Sequence, residues 1–369
     1  MTTSGDRFYV HEQDKGCLYI VLFLLIVPPI AAMWKVGSGA KLESFSGPTM
    51  GTRYSVSIVF PDLEVKADKL QKAVDDLLTE INRQMSTYDP DSELSRFNQY
   101  EGVDWFDVSP ETAKVVRYAL QVAEDSGGAF DPTVGPAVNL WGFGPDGRRR
   151  KPPNDEAIEA ALARIGYHHV EARLDPPALR KSNPNVYLDL SAVAKGYAVD
   201  AVTELLAEQG IESSMVEIGG EVRTQGEKPG DIPWKIGIEQ PDESGRAIRE
   251  VLELEDAALA TSGDYRNYFE QDGVRYSHTI DPTTGRPVQH QVATVSVVAD
   301  TCMEADALAT ALLVMGEEKG YDWCVEHDVA AMFLIRKAND QIGQQATSAF
   351  VERVGLNAKA AEVQSNTGK

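Results

Sequence analysis

Four short stretches bring together residue types that can do chemistry. In Ala299-Asp-Thr-Cys-Met-Glu-Ala-Asp-Ala-Leu-Ala-Thr310, Asp306 and Thr310 stand four residues apart. On a helix, that spacing places a carboxylate and a hydroxyl on one face. Such hard oxygen donors suit Mg²⁺, which keeps further positions for water or a substrate phosphate. From spacing alone, an exposed helix charge beside a packing threonine is the simpler reading, and Thr301-x-x-Glu304 is a capping box for the same helix. In Asp189-Leu-Ser-Ala-Val-Ala-Lys195-Gly-Tyr-Ala-Val-Asp200, a strand ends at Asp189, Ser191 is placed to cap a helix, and Lys195 falls in the first turns. A helix N-terminus with an ammonium beside it is a phosphate site; an ordinary capped helix, with Asp189 assisting the cap, explains the stretch equally well. Asp200 reads as a solvated helix charge.

The third stretch is Tyr276-Ser-His278-Thr-Ile-Asp281-Pro-Thr-Thr-Gly285. His278 ends a strand just before turn chemistry, and of the six histidines only it has that setting. A strand-end imidazole is a reasonable general base, although a lone His is more often structural. The fourth, Gly127-Gly-Ala129-Phe130-Asp131-Pro-Thr-Val-Gly135, has small residues that let a planar ligand or phosphate approach the backbone. There Asp131 is placed to accept from a base or a ribose; by itself the stretch is a rigid loop. Ile218-Gly219-Gly220-Glu221 is not GxGxxG, and neither GxxxxGK[ST] nor GxSxG occurs, so the common dinucleotide, P-loop and hydrolase fingerprints give no support.

These residues need elements to position them. Tyr54–Phe60 alternates as a strand, and the apolar stripe Leu70, Val74, Leu77, Leu78 and Ile81 predicts a helix over Ala67–Met85. Further helices are expected at Pro110–Asp125, Asp155–Arg164, Ser191–Glu208 and Met303–Met315, with another reaching about Glu326. Strands are expected at Val186–Leu188, Ser214–Ile218, Trp234–Glu239, Val251–Leu254, Val274–Thr279, Val292–Val298 and Ala330–Ile335. Gly127–Gly147 is Gly- and Pro-rich and reads as a loop. Strands and helices without a steady βαβ alternation predict an α+β fold.

The chain has 369 residues and a formal net charge of −22, with 35 Lys+Arg against 57 Asp+Glu. That length buries a core without staples, and the charge argues against a nucleic-acid partner, whose phosphates nothing would neutralise. Cys17, Cys302 and Cys324 form no CxxC and no disulfide framework. Two buried thiols are expected for Cys302 and Cys324, a bridge between them being the alternative. Residues 17–34 (CLYIVLFLLIVPPIAAMW) carry no charge and as a helix would span roughly 27 Å at about 1.5 Å per residue, close to the hydrocarbon thickness. The organisation expected is a tail over 1–16, a transmembrane anchor or signal segment over 17–34, a linker over 35–46, a catalytic domain over 47–355 and a disordered tail over 356–369. Arg7 and Lys15 before the span balance Lys35 and Lys41 after it, so charge does not set its orientation. Arg148-Arg-Arg-Lys151 reads as a solvated loop.

Taken in order, Gly47-Pro-Thr-Met-Gly-Thr52, Ser86-Thr-Tyr-Asp89 through Asn98, Gly128-Ala-Phe-Asp-Pro-Thr-Val-Gly135, Asp189 to Tyr197, Gly219-Gly220, His278-Thr-Ile-Asp-Pro282 and Asp306 to Thr310 resemble the ApbE family, the FAD:protein FMN transferases. The resemblance runs from about Gly47 to Ile335. It implies a mixed-sheet α+β domain related to the T-fold, with FAD bound as a substrate. It places Met50, Tyr88, Ala129, Phe130, Asp131, Asp189, Lys195 and Ile280 around FAD, and Mg²⁺ on the Ala192 carbonyl, Asp306 and Thr310. FMN would then pass to a Ser or Thr hydroxyl of a partner protein and AMP would leave, with His278 as base and Lys195 on the phosphate oxygens. Tyr88 and Phe130 offer rings for stacking, core packing being the alternative for Phe130. The same site would serve a Mg²⁺-dependent FAD pyrophosphatase, and a non-catalytic FAD-binding protein is a further alternative. Many relatives are lipoproteins, whereas here an apolar segment stands in place of the lipid. The resemblance thus implies a single-pass inner-membrane protein with a periplasmic catalytic domain. Its expected partners are flavoprotein subunits of the Na⁺-translocating NADH:quinone oxidoreductase or Rnf type.

Overall fold

Eight strands build the main sheet: β1 (Lys41–Thr49), β2 (Thr52–Phe60), β3 (Ser214–Ile218), β4 (Glu221–Gln225), β5 (Ala258–Gly263), β6 (Val292–Ala299), β7 (Ala330–Arg336) and β8 (Ile342–Ala346), of which β2 and β3 alternate buried and part-exposed residues and β6 is buried throughout. They lie side by side in chain order as one sheet, and each neighbouring pair is antiparallel. The sheet is therefore antiparallel throughout and not the mixed sheet expected, since every strand runs against its neighbours, while strands and helices are interleaved along the chain as an α+β fold. The computed structural model describes residues 41–355 except 61–66, 146, 148–150, 242–246, 266 and 339–340. The segments expected at 1–16, 17–34 and 356–369, the first part of the linker and the arginines of the 148–151 loop lie outside the described residues. Residues 41–46 of the expected linker belong to β1, paired from Lys41↔Phe60 to Thr49↔Thr52.

One face of the sheet turns Tyr54, Val56, Ile58, Val216, Ile218, Ala260, Val295, Val297 and Phe333 into the larger core. Helices α1 (Ala67–Met85), α3 (Pro110–Asp125), α6 (Ala194–Glu208) and α7 (Cys302–Met315) cover that face, and α2 (Glu93–Gln99) and α8 (Glu317–Glu326) flank them. The opposite face presents Leu259, Val298, Met332 and Leu334 to the hairpin Trp234–Glu239/Ile248–Leu254 and to α9 (Ser348–Arg353). Each such Val or Leu contributes about 1.5–3 kcal/mol when buried. Helix α7 is apolar and buried on nearly all sides, so packing, not a solvated face, holds it. A third cluster joins α4 (Gly135–Trp141) and α5 (Asp155–Leu162) to Phe269 and Ile280. The stretch 127–147 expected as loop therefore contains a helix, and a small sheet of Phe106–Asp107, Val170–Leu174 and Pro177–Lys181 lies outside the expected elements.

Two local expectations change. Val186–Leu188 is not a strand: Leu188 is paired by the Asn98 side chain, whose Nδ2 donates to the Leu188 carbonyl and whose Oδ1 accepts its N–H. A single amide side chain thus takes the place of a neighbouring strand. Helix α6 begins at Ala194, not Ser191, because the Ser191 hydroxyl donates to Asp189 Oδ1 and caps nothing.

Candidate functional site

The site lies where several strand ends and two helices meet. The β1–β2 turn is Met50-Gly51, with φ 47° and 70°. Positive φ at both central residues is what a tight hairpin turn matched to strand twist requires. The β3–β4 turn is built likewise from Gly219 (φ 64°) and Gly220 (φ 112°), and Ile218↔Glu221 closes it. The two turns touch: Gly219 N–H donates to the Arg53 carbonyl, and a Cβ on Gly219 would lie 2.9 Å from Thr52 Cγ2. Glu221 therefore leaves its strand beside the Met50 turn. Ser262, near the end of β5, sits at the same end of the sheet.

Lys195, in the first turn of α6, meets this end. Its Nζ lies 2.5 Å from Glu221 Oε1 and 3.8 Å from Asp306 Oδ1. Asp306 is 3% exposed, which excludes the solvated-charge reading of that helix position. Its Oδ2 accepts the N–H of Gly196 at 3.0 Å. That N–H would return to the Ala192 carbonyl in a continuing helix; here the carboxylate of another helix takes it and acts as the missing cap of α6. Thr310 lies one turn beyond Asp306, and its hydroxyl pairs with that of Ser262 at 3.0 Å. Burial works to lower the Lys195 ammonium, but the Asp306 and Glu221 carboxylates outweigh it and hold the group above its ordinary value. Burial raises both carboxyls, and Lys195 pulls each back. Glu221 Oε2 is enclosed without a hydrogen-bond partner.

The donor set suits a hard cation. Asp306 Oδ1, the Thr310 hydroxyl and the Ala192 carbonyl, in the turn leading into α6, are oxygen donors of the kind Mg²⁺ takes. Among the described residues no group of three or more His, Cys, Asp or Glu could hold a metal, so no softer cluster competes. Cys302 and Cys324 are free and buried, as expected, and burial pushes both thiols up.

His278 follows the strand Val274–Ser277. Its ring packs edge-on to Phe143, in an aromatic stack of Trp141, Phe143, Phe269 and Tyr276. Trp141 Nε1 donates to the Gly285 carbonyl at 2.7 Å and pins the loop beyond His278. His278 Nδ1 lies 3.2 Å from the Asn267 carbonyl. A carbonyl only accepts, so Nδ1 carries the proton and Nε2 is the basic nitrogen. Burial lowers this imidazole, the Asn267 carbonyl and Asp264 oppose the shift, and the charge of Lys195 adds to it. His278 and Lys195 thus feel one another electrostatically.

The remaining expected residues divide. Tyr88 is 66% exposed, and burial of part of its ring raises its hydroxyl, with the Asp189 charge adding to the shift. Tyr88 lines a cleft of about 320 Å³ together with Thr87, Ser95, Asn98, Pro145 and Tyr187, while the Asp189 carboxylate accepts from the Ser191 N–H and hydroxyl. Asp131 is buried, and its carboxylate accepts from Thr133 N–H, Thr133 hydroxyl and Tyr167 N–H, so it braces its own loop. Phe130 packs in the larger core, the alternative weighed for it; Ala129 beside it is partly exposed. Ile280 is buried in the aromatic cluster, and Met50 packs against the larger core from its turn. Glu221, Ser262 and Asp200 were missed. Asp200 is no solvated charge: it is buried, pairs with Arg223 and accepts the N–H groups of Cys302 and Met303. The Gly219-Gly220 pair was the only signal near Glu221, and nothing local marked the others.

The end of an α+β sheet thus gathers lysine, carboxylates and hydroxyls at one corner, groups of the chemistry that an anionic ligand and a hard cation require. Residues 50–333 match the model of the ApbE family, and the chain belongs to that family. It is 48% identical over 311 residues to a FAD:protein FMN transferase of Vibrio cholerae, covering 84% of this chain and 92% of the relative. A FAD:protein FMN transferase of Haemophilus influenzae is 41% identical over 315 residues, covering 84% and 91%. Among solved structures, the apo flavinyl transferase ApbE of Pseudomonas stutzeri superposes with a TM-score of 0.80 at 40% identity, covering 86% of this chain and 98% of that one.

Proposed function

We propose that this chain is a FAD:protein FMN transferase that uses Mg²⁺, takes FAD as substrate and attaches FMN to a Ser or Thr hydroxyl of a target protein, releasing AMP. The observation that carries the reading is the Lys195–Asp306–Thr310 corner in a chain whose relatives are FAD:protein FMN transferases. Asp306 Oδ1, the Thr310 hydroxyl and the Ala192 carbonyl would hold the cation. When bound, Mg²⁺ supplies positive charge against pyrophosphate oxygens. Lys195, held by Glu221, keeps its ammonium at the mouth of that corner and stabilises charge on the phosphate. The hydroxyl oxygen of the target forms a bond to the FMN-side phosphorus, the bond from that phosphorus to the AMP oxygen breaks, and the hydroxyl proton passes to His278 Nε2. Tyr88 lines the cleft that would receive part of FAD; Asp189, Met50, Ala129 and Ile280 are proposed around FAD from the family resemblance alone.

The test is AMP release from FAD with and without an acceptor subunit, in Mg²⁺ and in EDTA. AMP that requires both acceptor and Mg²⁺ supports transfer. AMP with free FMN in the absence of any acceptor indicates a pyrophosphatase, and tight FAD binding without AMP indicates a carrier. We also propose that residues 17–34 anchor the chain in the inner membrane with the catalytic domain in the periplasm, facing flavoprotein subunits of Na⁺-translocating NADH:quinone oxidoreductase or Rnf type. The uncharged run over 17–34 supports this. Carbonate extraction and protease protection of spheroplasts test it: release into the soluble fraction contradicts the anchor.

A further inference from the structure

Asp200 takes no part in the proposed chemistry, yet it is 5% exposed and makes three charge-assisted contacts. Its Oδ1 accepts from Cys302 N–H at 2.8 Å and Arg223 Nη1 at 2.7 Å, and its Oδ2 accepts from Met303 N–H at 2.9 Å. Cys302 and Met303 open α7, where amide donors have no partner within the helix. The Thr301 hydroxyl accepts only the N–H of Glu304, and its carbonyl that of Ala305, which leaves the first two amides of the helix to Asp200. A carboxylate from α6 therefore completes the cap of α7, where the helix dipole favours negative charge.

The arrangement is reciprocal. Asp200 of α6 caps α7, and Asp306 of α7 caps α6 through Gly196. The helices meet so closely that a Cβ on Gly196 would lie 2.3 Å from the Cys302 carbonyl oxygen. Arg223, the third partner of Asp200, shares β4 with Glu221, two residues away on the same side of the strand. One carboxylate thus ties together the three elements that carry Lys195, Asp306 with Thr310, and Glu221.

We infer that Asp200 is a positioning residue for the cation site: through the N-terminus of α7 it sets where Asp306 and Thr310 stand relative to Lys195. The inference rests on the proposed use of Mg²⁺. A cap that only stabilised α7 would change unfolding and leave cation affinity alone; a cap that sets the register of α7 changes both. Asp200→Asn keeps the shape and one good acceptor but removes the charge and one of the two caps. Asp200→Glu keeps the charge and displaces it by a methylene.

The experiment titrates Mg²⁺ calorimetrically into the enzyme–FAD complex without acceptor protein, for wild type, Asp200→Asn, Asp200→Glu and Asp306→Asn. FAD affinity in EDTA, read by flavin fluorescence, accompanies each titration. Loss of a group that orients metal ligands costs on the order of 10–100-fold in metal affinity. Asp200→Asn should therefore weaken Mg²⁺ by about tenfold or more, with Asp200→Glu between it and wild type. FAD affinity in EDTA should stay within about twofold. Mg²⁺ affinity like wild type in the folded Asp200 variants, with Asp306→Asn impaired, overturns the inference and leaves the cation reading intact. No Mg²⁺ binding by wild type, or full binding by Asp306→Asn, overturns the cation reading and the inference with it.

Discussion

Alanine in place of glycine within a helix ordinarily stabilises it by about 0.8–1 kcal/mol. At Gly196 the sign should reverse. A Cβ there would stand 2.3 Å and 2.6 Å from the carbonyl oxygen and carbon of Cys302 and 2.8 Å from Asp306 Cβ. Two of the three obstacles are backbone of α7, so no side chain can swing aside. The helices must part, at an overpacking cost of about 1–3 kcal/mol. Parting them also stretches the 3.0 Å bond from Gly196 N–H to Asp306 Oδ2, and a hydrogen bond to a charged group contributes about 1.5–3 kcal/mol. After the gain in helix propensity, Gly196→Ala should lose about 2–5 kcal/mol. Urea unfolding of the two proteins at matched pH measures it, and FMN transfer at saturating Mg²⁺ should fall in step because Asp306 is displaced. A variant as stable as wild type, or more so, would refute the close helix contact and the role given to it.

Three further outcomes are expected. An ordinary imidazole titrates near 6.5, and burial lowers His278, so the acid limb of kcat/KM for transfer should lie below that pH. His278→Gln should slow transfer and abolish the limb while FAD affinity is kept, and a limb above 6.5 would reassign the base. Asp306→Ala should abolish transfer, read as AMP formed, while retaining part of FAD binding by fluorescence; full activity at ordinary Mg²⁺ would remove it from the cation site. Lys181 is fully buried, donates only to the Phe97 and Asn98 carbonyls among its hydrogen bonds, and is held by burial to about 8. Between about 8 and 10.5 the folded chain binds fewer protons at this site than the unfolded one, so wild-type stability should rise with pH relative to Lys181→Met. A flat difference in urea unfolding across that range would contradict it.

What the sequence made legible was what local pattern encodes. The stripe from Leu70 to Ile81 gave α1, Pro110 opened α3, and the alternation over Tyr54–Phe60 gave β2. Strand β5, Ala258–Gly263, was missed because Ala, Ser and Gly have little strand preference, and only packing between β4 and β6 makes it a strand. The edge strand β1 is polar and mostly exposed, so it resembled a linker. Asp306, Thr310, Lys195 and His278 were singled out as candidates because their motifs are compact. Glu221, Ser262 and Asp200 were not, since each acquires its meaning from a partner on a distant element: Lys195, Thr310 and the first amides of α7. Asp200 shows why burial cannot be read from residue type: an acid one turn beyond Lys195 looks solvated until the neighbouring helix supplies two N–H groups and β4 supplies an arginine.

The central claim is that FMN moves from FAD to a protein. The chain from Lys41, FAD, Mg²⁺ and a flavoprotein subunit of a Na⁺-translocating NADH:quinone oxidoreductase should be incubated together, with intact mass read on the subunit and AMP in solution. A mass gain equal to one FMN phosphoester, appearing with AMP and absent in EDTA, is expected. AMP and free FMN with no gain in mass on any acceptor tried, or neither product, would contradict it.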